Sequence, residues 1–273
     1  MTATDTAALS ARVLPVWVLG SGRAGRLIER NALVYRRVWL MVVSGVFEPL
    51  FYLWSISIGL SKLAGAVAGP GGRPISYTMF AAPALMATSA MNGAVMDSTF
   101  GVFFKLKFAK VYEAVLATPL GVPDVALGEI GWAMMRGTAY STVFIVIQAA
   151  MGLVASGWAV FALPAAVLVG FAFAGAGMAA TTFMRSWQDF DFINMTLMPL
   201  FLFSATFYPL TTYPGPLRLL VRITPLYQGV ALIRGLDLGG PNWAMLGHAA
   251  YLAVMGTVGL WVAGARLGRL ILR

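Results

Sequence analysis

The residues 16–27, "VWVLGSGRAGRL", hold Gly20-Ser21-Gly22-Arg23-Ala24-Gly25, a letter-for-letter match to G-x-G-x-x-G. After a strand and at the start of a helix, such glycines permit a tight turn and bring backbone N–H groups close to a pyrophosphate. That chemistry also needs an acidic residue about 20 positions later for the ribose. The nearest candidate, Glu48, stands in "WLMVVSGVFEPLFYLWSISIGL", a run with the length and hydropathy of a membrane span. The dinucleotide context is therefore missing. The glycines instead precede "RLIERNALVYRRVW", where Leu27, Ile28, Leu33, Val34 and Val38 approximate one helical face against Arg26, Arg30 and Arg37. This pattern predicts an amphipathic helix lying on the inner leaflet.

Other chemistries have little to work with. The chain has no cysteine, which removes thiolate chemistry, and one histidine, His248, which leaves histidine-based catalysis or a multi-histidine metal site almost nothing to work with. No G-x-x-x-x-G-K-[ST] occurs, so a phosphate-cradling loop must come from another chain. What remains is a set of ionisable residues in apolar surroundings: Glu48, Asp97, Glu129 and Arg136. Charges at membrane depth face a bundle interior, a cavity or a partner. Glu129 and Arg136 are seven apart, so they share a helical face with Trp132 and Ala133 between them, and are expected to pair in a dry setting. Glu129 also falls near the membrane interface, where capping or snorkelling would explain it. Glu48 precedes Pro49, which disturbs a helix, and is a second candidate partner for Arg136. A proton relay and a polar contact between subunits would both use such groups.

The elements that position these residues are membrane spans. With 59% hydrophobic and 11% charged residues and a mean hydropathy of +0.81, the chain is too apolar for a soluble domain. Its net charge of +9 is spread between long apolar runs, which suits a membrane surface rather than nucleic acid. Six stretches have span character: about 38–60, 75–104, 125–154, 158–184, 192–208 and 245–267. The first 36 residues lack an early apolar region of signal-peptide length, so the first span is expected to act as its own insertion signal. Residues 1–37 then form an N-terminal segment and 38–273 a single six-span domain.

Positive charge orients these spans. With the N-terminus inside, the inner segments hold thirteen Lys and Arg residues (Arg12, Arg23, Arg26, Arg30, Arg36, Arg37, Lys105, Lys107, Lys110, Arg185, Arg266, Arg269, Arg273). The outer segments hold five (Lys62, Arg73, Arg218, Arg222, Arg234). The positive-inside rule places both termini in the cytoplasm. Residues 209–243 become an outer segment of short or re-entrant helices, broken at Pro209, Pro214, Pro216 and Pro225.

Three polar stretches sit between spans. In "KLKFAKVYEAVLATPLGVPD", Phe104, Phe108, Val111, Tyr112 and Val115 read as an apolar helical stripe, with Lys105, Lys107 and Lys110 as a basic remainder and Pro119 and Pro123 as the stop. As a bare surface helix it would anchor in the headgroups. "RSWQDFDF" is a mixed-charge inner loop containing Arg185, Asp189 and Asp191. The outer segment is rich in aromatics, with Phe207, Tyr208, Tyr213, Tyr227 and Trp243. They suit an interfacial belt, or exit-side stacking against an amphipathic substrate. His248 is expected near the outer end of the last span.

Four of these stretches carry a family resemblance: "EPLFYLWSISIGL", "FGVFFKLKFAKVYEAVLATPLGVPDVALGEIGWAMMRG", "RSWQDFDF", and "FLFSATFYPLTTYP" with "TPLYQGVALIRGL". Together they resemble the type-2 ABC export permeases, particularly the nodulation-factor (lipo-chitooligosaccharide) exporter permeases and related drug and glycolipid exporters. The resemblance implies an all-α, six-span permease of the bacterial inner membrane that dimerises with a second copy or a paralogue. It implies two separate ABC ATPase subunits that bind ATP and Mg, no cofactor or catalysis in this chain, and export of a hydrophobic or amphipathic substrate. It further implies that the 105–120 segment is a coupling helix, with Lys105, Lys107, Phe108, Val111, Tyr112, Glu113, Leu116, Thr118 and Pro119 at the ATPase. Arg185, Asp189 and Asp191 are candidates for a second contact. A proton-coupled secondary transporter through the membrane-depth acids is the alternative, favoured by inverted repeats that the sequence does not display. A membrane-embedded enzyme would have to rest on scattered carboxylates.

Overall fold

The computed structural model describes residues 21–37, 47, 49–69, 72–239 and 242–271. Glu48 and Gly20 lie outside them. The chain is mostly helical. Helix α1 (Ser21–Arg37) contains two of the glycines of the G-x-G-x-x-G stretch, which thus lie within a helix rather than in a phosphate loop. Helix α2 covers 49–64, with a π-turn at Ile56–Leu60 and a last turn at Ser61–Ala64. A short antiparallel hairpin follows, β1 (Ala66–Ala68) against β2 (Pro74–Ser76). It departs from the all-α expectation.

Helix α3 (Tyr77–Met96) is the centre of the bundle. Ser76 caps it, its hydroxyl accepting from the Met79 N–H at 3.2 Å. Its sequence, "YTMFAAPALMATSAMNGAVM", is apolar and small all round, and the helix is buried on nearly every side. A π-turn at Asp97–Gly101 leads into α4 (Val102–Lys107), then α5 (Val111–Leu116) and α6 (Val122–Ala150). The Asp124 carboxylate accepts from the Gly121 N–H at 2.8 Å at the start of α6. A 3-10 turn (Gly157–Phe161) opens α7 (Ala162–Thr181), and α8 (Asp189–Leu202) follows. After a 3-10 turn at Leu210–Thr212 come α9 (Gly215–Ile223), α10 (Pro225–Leu238) and α11 (Trp243–Ile271).

Helices α6, α7 and α10 surround α3, and α7 packs along α11. The α7–α11 contact is made by backbone. A Cβ built on Gly175 would stand 2.5 Å from the Gly256 carbonyl oxygen, and one built on Gly259 would stand 2.4 Å from the Gly175 carbonyl carbon, so both helices need glycine here. Small residues at helix contacts let backbones approach, and this is where membrane helices gain packing.

Four stretches are long and apolar enough to cross a membrane: Tyr77–Lys107, Val122–Ala150, Gly157–Thr181 and Trp243–Leu270. They coincide with the expected second, third, fourth and sixth spans. The protein is a multi-pass membrane protein. Of the expected first span, only position 47 and the helix from 49 onward are described. The expected fifth span is shorter than the sequence run implies. Its helix, α8, has 14 residues and ends at Leu202, a rise of about 21 Å against a hydrocarbon core of about 30 Å.

Between Pro209 and Trp243 the short helices form as the prolines predict. Pro214 and Pro216 bracket the start of α9, and Pro225 opens α10 behind a Thr224 cap.

Candidate functional site

Two buried ion pairs cross the end of the bundle that carries α1 and α5. Lys105 Nζ lies 2.6 Å from Glu129 Oε2, the side chains 19% and 3% exposed. Asn31 of α1 joins both: its Nδ2 donates to Glu129 Oε2 at 3.1 Å and its Oδ1 accepts from Lys105 Nζ at 3.2 Å. Two turns along α6, Arg136 Nη2 lies 2.6 Å from Asp97 Oδ1. The Tyr35 hydroxyl reaches the same oxygen at 3.5 Å, and the guanidinium lies 5.2 Å from the Tyr35 ring and 5.6 Å from that of Tyr140. Tyr35 also packs on Trp132, with ring centroids 5.0 Å apart.

The spacing reads directly onto this arrangement. Glu129, Trp132 and Arg136 share a face of α6, and Asn31 and Tyr35, four apart, share a face of α1. Asp97 opens the π-turn between α3 and α4, and Lys105 follows it in α4. The expected Glu129–Arg136 pair does not form. Seven residues rise about 10 Å along a helix, and each charge meets an opposite one on the α3–α4 segment instead.

Helix α1 is held close enough to reach both pairs because α6 offers no side chain at Gly128. A Cβ there would stand 2.7 Å from Leu27 Cβ. The amphipathic helix thus buries Ala24, Leu27 and Asn31 against α6 while Leu33 and Val34 remain exposed. Its apolar face has two destinations rather than one.

The expected 105–120 helix is two pieces. Helix α4 ends at Lys107, and Lys110 takes a left-handed conformation (φ 47°) that redirects the chain into α5. Phe104 and Phe108 therefore do not share a stripe with Tyr112; both are exposed. Two of the residues expected at an ATPase surface face inward. Lys105 is engaged by Glu129, and Tyr112 is 1% exposed. The Tyr112 hydroxyl lies beside the Glu129 carboxylate, short of hydrogen-bond geometry, and burial and that charge push its ionisation well above the ordinary phenol value. Lys107, Phe108, Glu113, Thr118 and Pro119 are exposed, and Val111 and Leu116 are half-buried. In the α7–α8 connection, Asp189 turns back to accept from the Arg185 and Ser186 N–H groups at 2.6 and 3.1 Å, which holds its carboxyl below the usual range. Arg185 and Asp191 are exposed.

A cleft of about 550 Å³ opens between α2, α3, α6 and α8. Its lining mixes apolar and polar groups on the same helices, with Leu85, Met96, Leu197, Met198 and Phe201 among Thr88, Ser89, Asn92, Asn194 and Tyr140. Arg136 also lines it, with its charge answered by Asp97.

At the opposite end, two of the expected exit-side aromatics, Tyr213 and Tyr227, meet in one apolar cluster with Ala205 and Val221. Tyr208 is exposed and Tyr213 is buried, its hydroxyl donating to the Leu202 carbonyl at 3.4 Å. Phe207 packs edge-on to Phe201, and Tyr227 on His248. His248 bonds Gln228 through Nδ1.

Three further residues join separate elements. Asn31 and Tyr35 bind the ion pairs, and Arg234 ties α10 to its neighbours. Its Nε donates to the Phe80 carbonyl at 3.1 Å, its Nη2 donates to the Ala205 carbonyl at 2.9 Å, and its guanidinium sits 3.9 Å from the Phe80 ring centre. A cationic residue in an otherwise apolar helix was the available signal for Arg234.

The sequence matches the ABC-2 type transporter family over residues 24–238, a stretch running from α1 through α10. The chain belongs to that family. Among its relatives are Nodulation protein J of Rhizobium leguminosarum bv. trifolii, 30% identical over 90% of this chain and 92% of the relative, and that of Rhizobium meliloti (strain 1021), 29% identical over 88% and 91%. A third, from Sinorhizobium fredii, is 28% identical over 89% of this chain and 92% of its own. The resemblance carried by the four sequence stretches is thereby confirmed at the level of the ABC-2 transporter family. In an ABC-2 transporter, the bundle of long apolar helices is the permease.

Proposed function

We propose that this protein is the membrane permease of an ABC exporter, moving an amphipathic or hydrophobic molecule out of the cytoplasm or inner leaflet of a bacterial inner membrane. ATP is hydrolysed in a separate ATPase subunit. The observation that carries the substrate side is the mixed lining of the cleft: its apolar side chains suit an acyl or aromatic portion, and its hydroxyl and amide groups suit a polar head. The family membership and the absence of a phosphate-loop motif support the division of labour with an ATPase.

In this reading α2 and α8 complete six crossings, both termini are cytoplasmic, and the basic end of the bundle faces the ATPase, in line with the thirteen-to-five Lys and Arg asymmetry. A second copy or a paralogous permease covers the exposed apolar residues of α8, Phe192, Met195 and Met198. ATP-driven closure of the ATPase subunits moves the surface segment around α5. That displacement shifts the bundle only if the two permease states differ in affinity for substrate or ATPase. Asp97 and Glu129 are each ion-paired, which suits a static role better than a proton relay.

The test is transport of a fluorescent amphipath into inside-out vesicles holding the permease and its co-purified ATPase. Accumulation should require ATP, stop with vanadate and survive a protonophore. Uptake that collapses with the protonophore and ignores vanadate would favour the proton-coupled alternative.

A further inference from the structure

Helix α9 is fastened on one side and open on the other. Val221 is fully buried in an apolar cluster with Ala205 and Tyr213, and Arg218 Nη2 donates to the Thr211 and Tyr213 carbonyls at 3.0 and 3.1 Å. Two further bonds fix the end of the helix. Gln228 Nε2 donates to the Arg222 carbonyl at 2.6 Å, and the Tyr251 hydroxyl donates to the Ile223 carbonyl at 3.0 Å. The open side carries Leu219, Leu220 and Ile223, each more than half exposed. At helical spacing they fall within about 100° of one another, with Arg222 about 60° from Leu219. Arg222 is exposed and has no ion-pair partner among the described residues. Residues 205–236 hold three arginines and no acid. The other two, Arg218 and Arg234, direct donors at backbone carbonyls within the protein.

The bond from Tyr251 also sets the depth of this face. Helix α11 has 29 residues and rises about 43 Å, so it overshoots a hydrocarbon core of about 30 Å by roughly 7 Å at each end. Tyr251 stands eight residues after Trp243, about 12 Å along the helix and just inside the hydrocarbon boundary. Val254 and Val258, three and seven residues further on, are exposed as a lipid-facing side requires. The end of α9 is therefore held where headgroups give way to acyl chains.

We propose that this face of α9 seats an anionic phospholipid of the outer leaflet, its phosphate on Arg222 and its acyl chains along Leu219, Leu220 and Ile223. The inference rests on the outward orientation in the permease reading, and goes past it by giving a ligand to a helix that has no part in the transport cycle described above. A guanidinium pairs with phosphate oxygens through two parallel N–H donors, and at the edge of the hydrocarbon that pair is poorly screened. A zwitterionic headgroup offers the same phosphate with a cation attached, so the anionic one binds more tightly. A free anion would answer Arg222 and leave the three apolar side chains bare. A second copy meeting this face across a two-fold axis would bring the cationic helix against itself.

The natural absence of cysteine makes the test direct. Leu220→Cys in the full-length permease carries a nitrobenzoxadiazole fluorophore, and the protein is reconstituted with its ATPase in phosphatidylcholine vesicles. Trace phosphatidylglycerol or phosphatidylcholine with a nitroxide on the acyl chain reports lipid at the site, and aqueous cobalt reports water. The assignment predicts quenching by both nitroxide lipids and little by cobalt, with phosphatidylglycerol effective at about one-fifth of the phosphatidylcholine dose. Arg222→Gln should bring that ratio to about one, and Arg222→Lys should keep most of it. Arg73→Gln, on the exposed turn of the hairpin, should leave it unchanged. The thermal midpoint should stay the same in all three, because each side chain is exposed. Equal quenching by the two lipids, or a preference that survives Arg222→Gln, overturns the lipid site. Strong quenching by cobalt overturns it in favour of water, and quenching by neither overturns it in favour of a covering second copy. Gly215→Cys should react with an impermeant maleimide from outside right-side-out vesicles; reaction from the cytoplasmic side alone overturns the leaflet assignment. Vanadate-sensitive transport is read on the same vesicles as the quenching. Its absence beside an intact phosphatidylglycerol preference defeats the permease reading and leaves the lipid site supported.

Discussion

Removing Lys105 should harm the protein more than removing its partner Glu129, and the two losses should not add. Lys105→Met leaves a carboxylate that is 3% exposed, with the Asn31 amide as its hydrogen-bond donor and no cation to answer its charge. Breaking a buried ion pair from one side typically costs about 3–5 kcal/mol. The lower end applies, about 3 kcal/mol, because Lys105 is itself 19% exposed and water reaches the pocket edge. Glu129→Gln keeps an oxygen for Asn31, and the ammonium can swing toward solvent, so about 1–2 kcal/mol is expected. The double variant leaves no buried charge at the site and should cost about 2 kcal/mol, which gives a coupling energy of roughly 2 kcal/mol. The assay is a double-mutant cycle on unfolding in detergent, with Glu129→Gln and Arg136→Met as the comparison cycle. Those two residues belong to different pairs, so their coupling should be smaller. Strong coupling of Glu129 to Arg136 and none to Lys105 would refute the pairing.

Other outcomes follow from the same geometry. Tyr112→Ala empties a fully buried aromatic site and should lower stability by about 3 kcal/mol or more, whereas Glu113→Ala, exposed on the same helix, should change it by less than about 0.5 kcal/mol; thermal melts of the permease alone distinguish them. Gly128→Leu should force α1 off α6, costing about 1–3 kcal/mol and exposing the 21–37 segment to limited proteolysis. Burial without any polar partner raises the Asp237 carboxyl from 3.8 to about 7. Its folded form prefers the proton, so the stability it contributes is complete below pH 3.8, declines as pH rises and is gone above about 7. Asp237→Asn should flatten that slope in melts taken across the range.

The long apolar helices were legible because membrane insertion demands about 20 apolar residues in a row, a requirement that composition alone reports. The breaks at Pro214, Pro216 and Pro225 were legible because a ring without an N–H fits the first turn of a helix best and disturbs its interior. Periodicity also put Glu129 and Arg136 on one face of α6. It did not say which helix that face would meet, and pairing across helices is a tertiary fact. The left-handed turn at Lys110 left no trace either, since Lys is not a residue that marks positive φ; without it, Tyr112 reads as part of an exposed stripe. The hairpin at 66–76 is three residues per strand, too short for alternation to register. Asn31 and Tyr35 looked like ordinary members of an amphipathic helix, because the feature that recruits them is the empty space at Gly128.

In the proposed cycle, nucleotide bound by the ATPase subunits at the basic end of the bundle governs access to the cleft. Ser89→Cys places a probe in the lining of the cleft, and its reaction with an impermeant maleimide can be followed from outside in right-side-out vesicles containing the permease and its ATPase. The account predicts that labelling differs between the nucleotide-free and the vanadate-trapped complex and is indifferent to a proton gradient. Labelling that tracks the proton gradient and stays the same in both nucleotide states would contradict it.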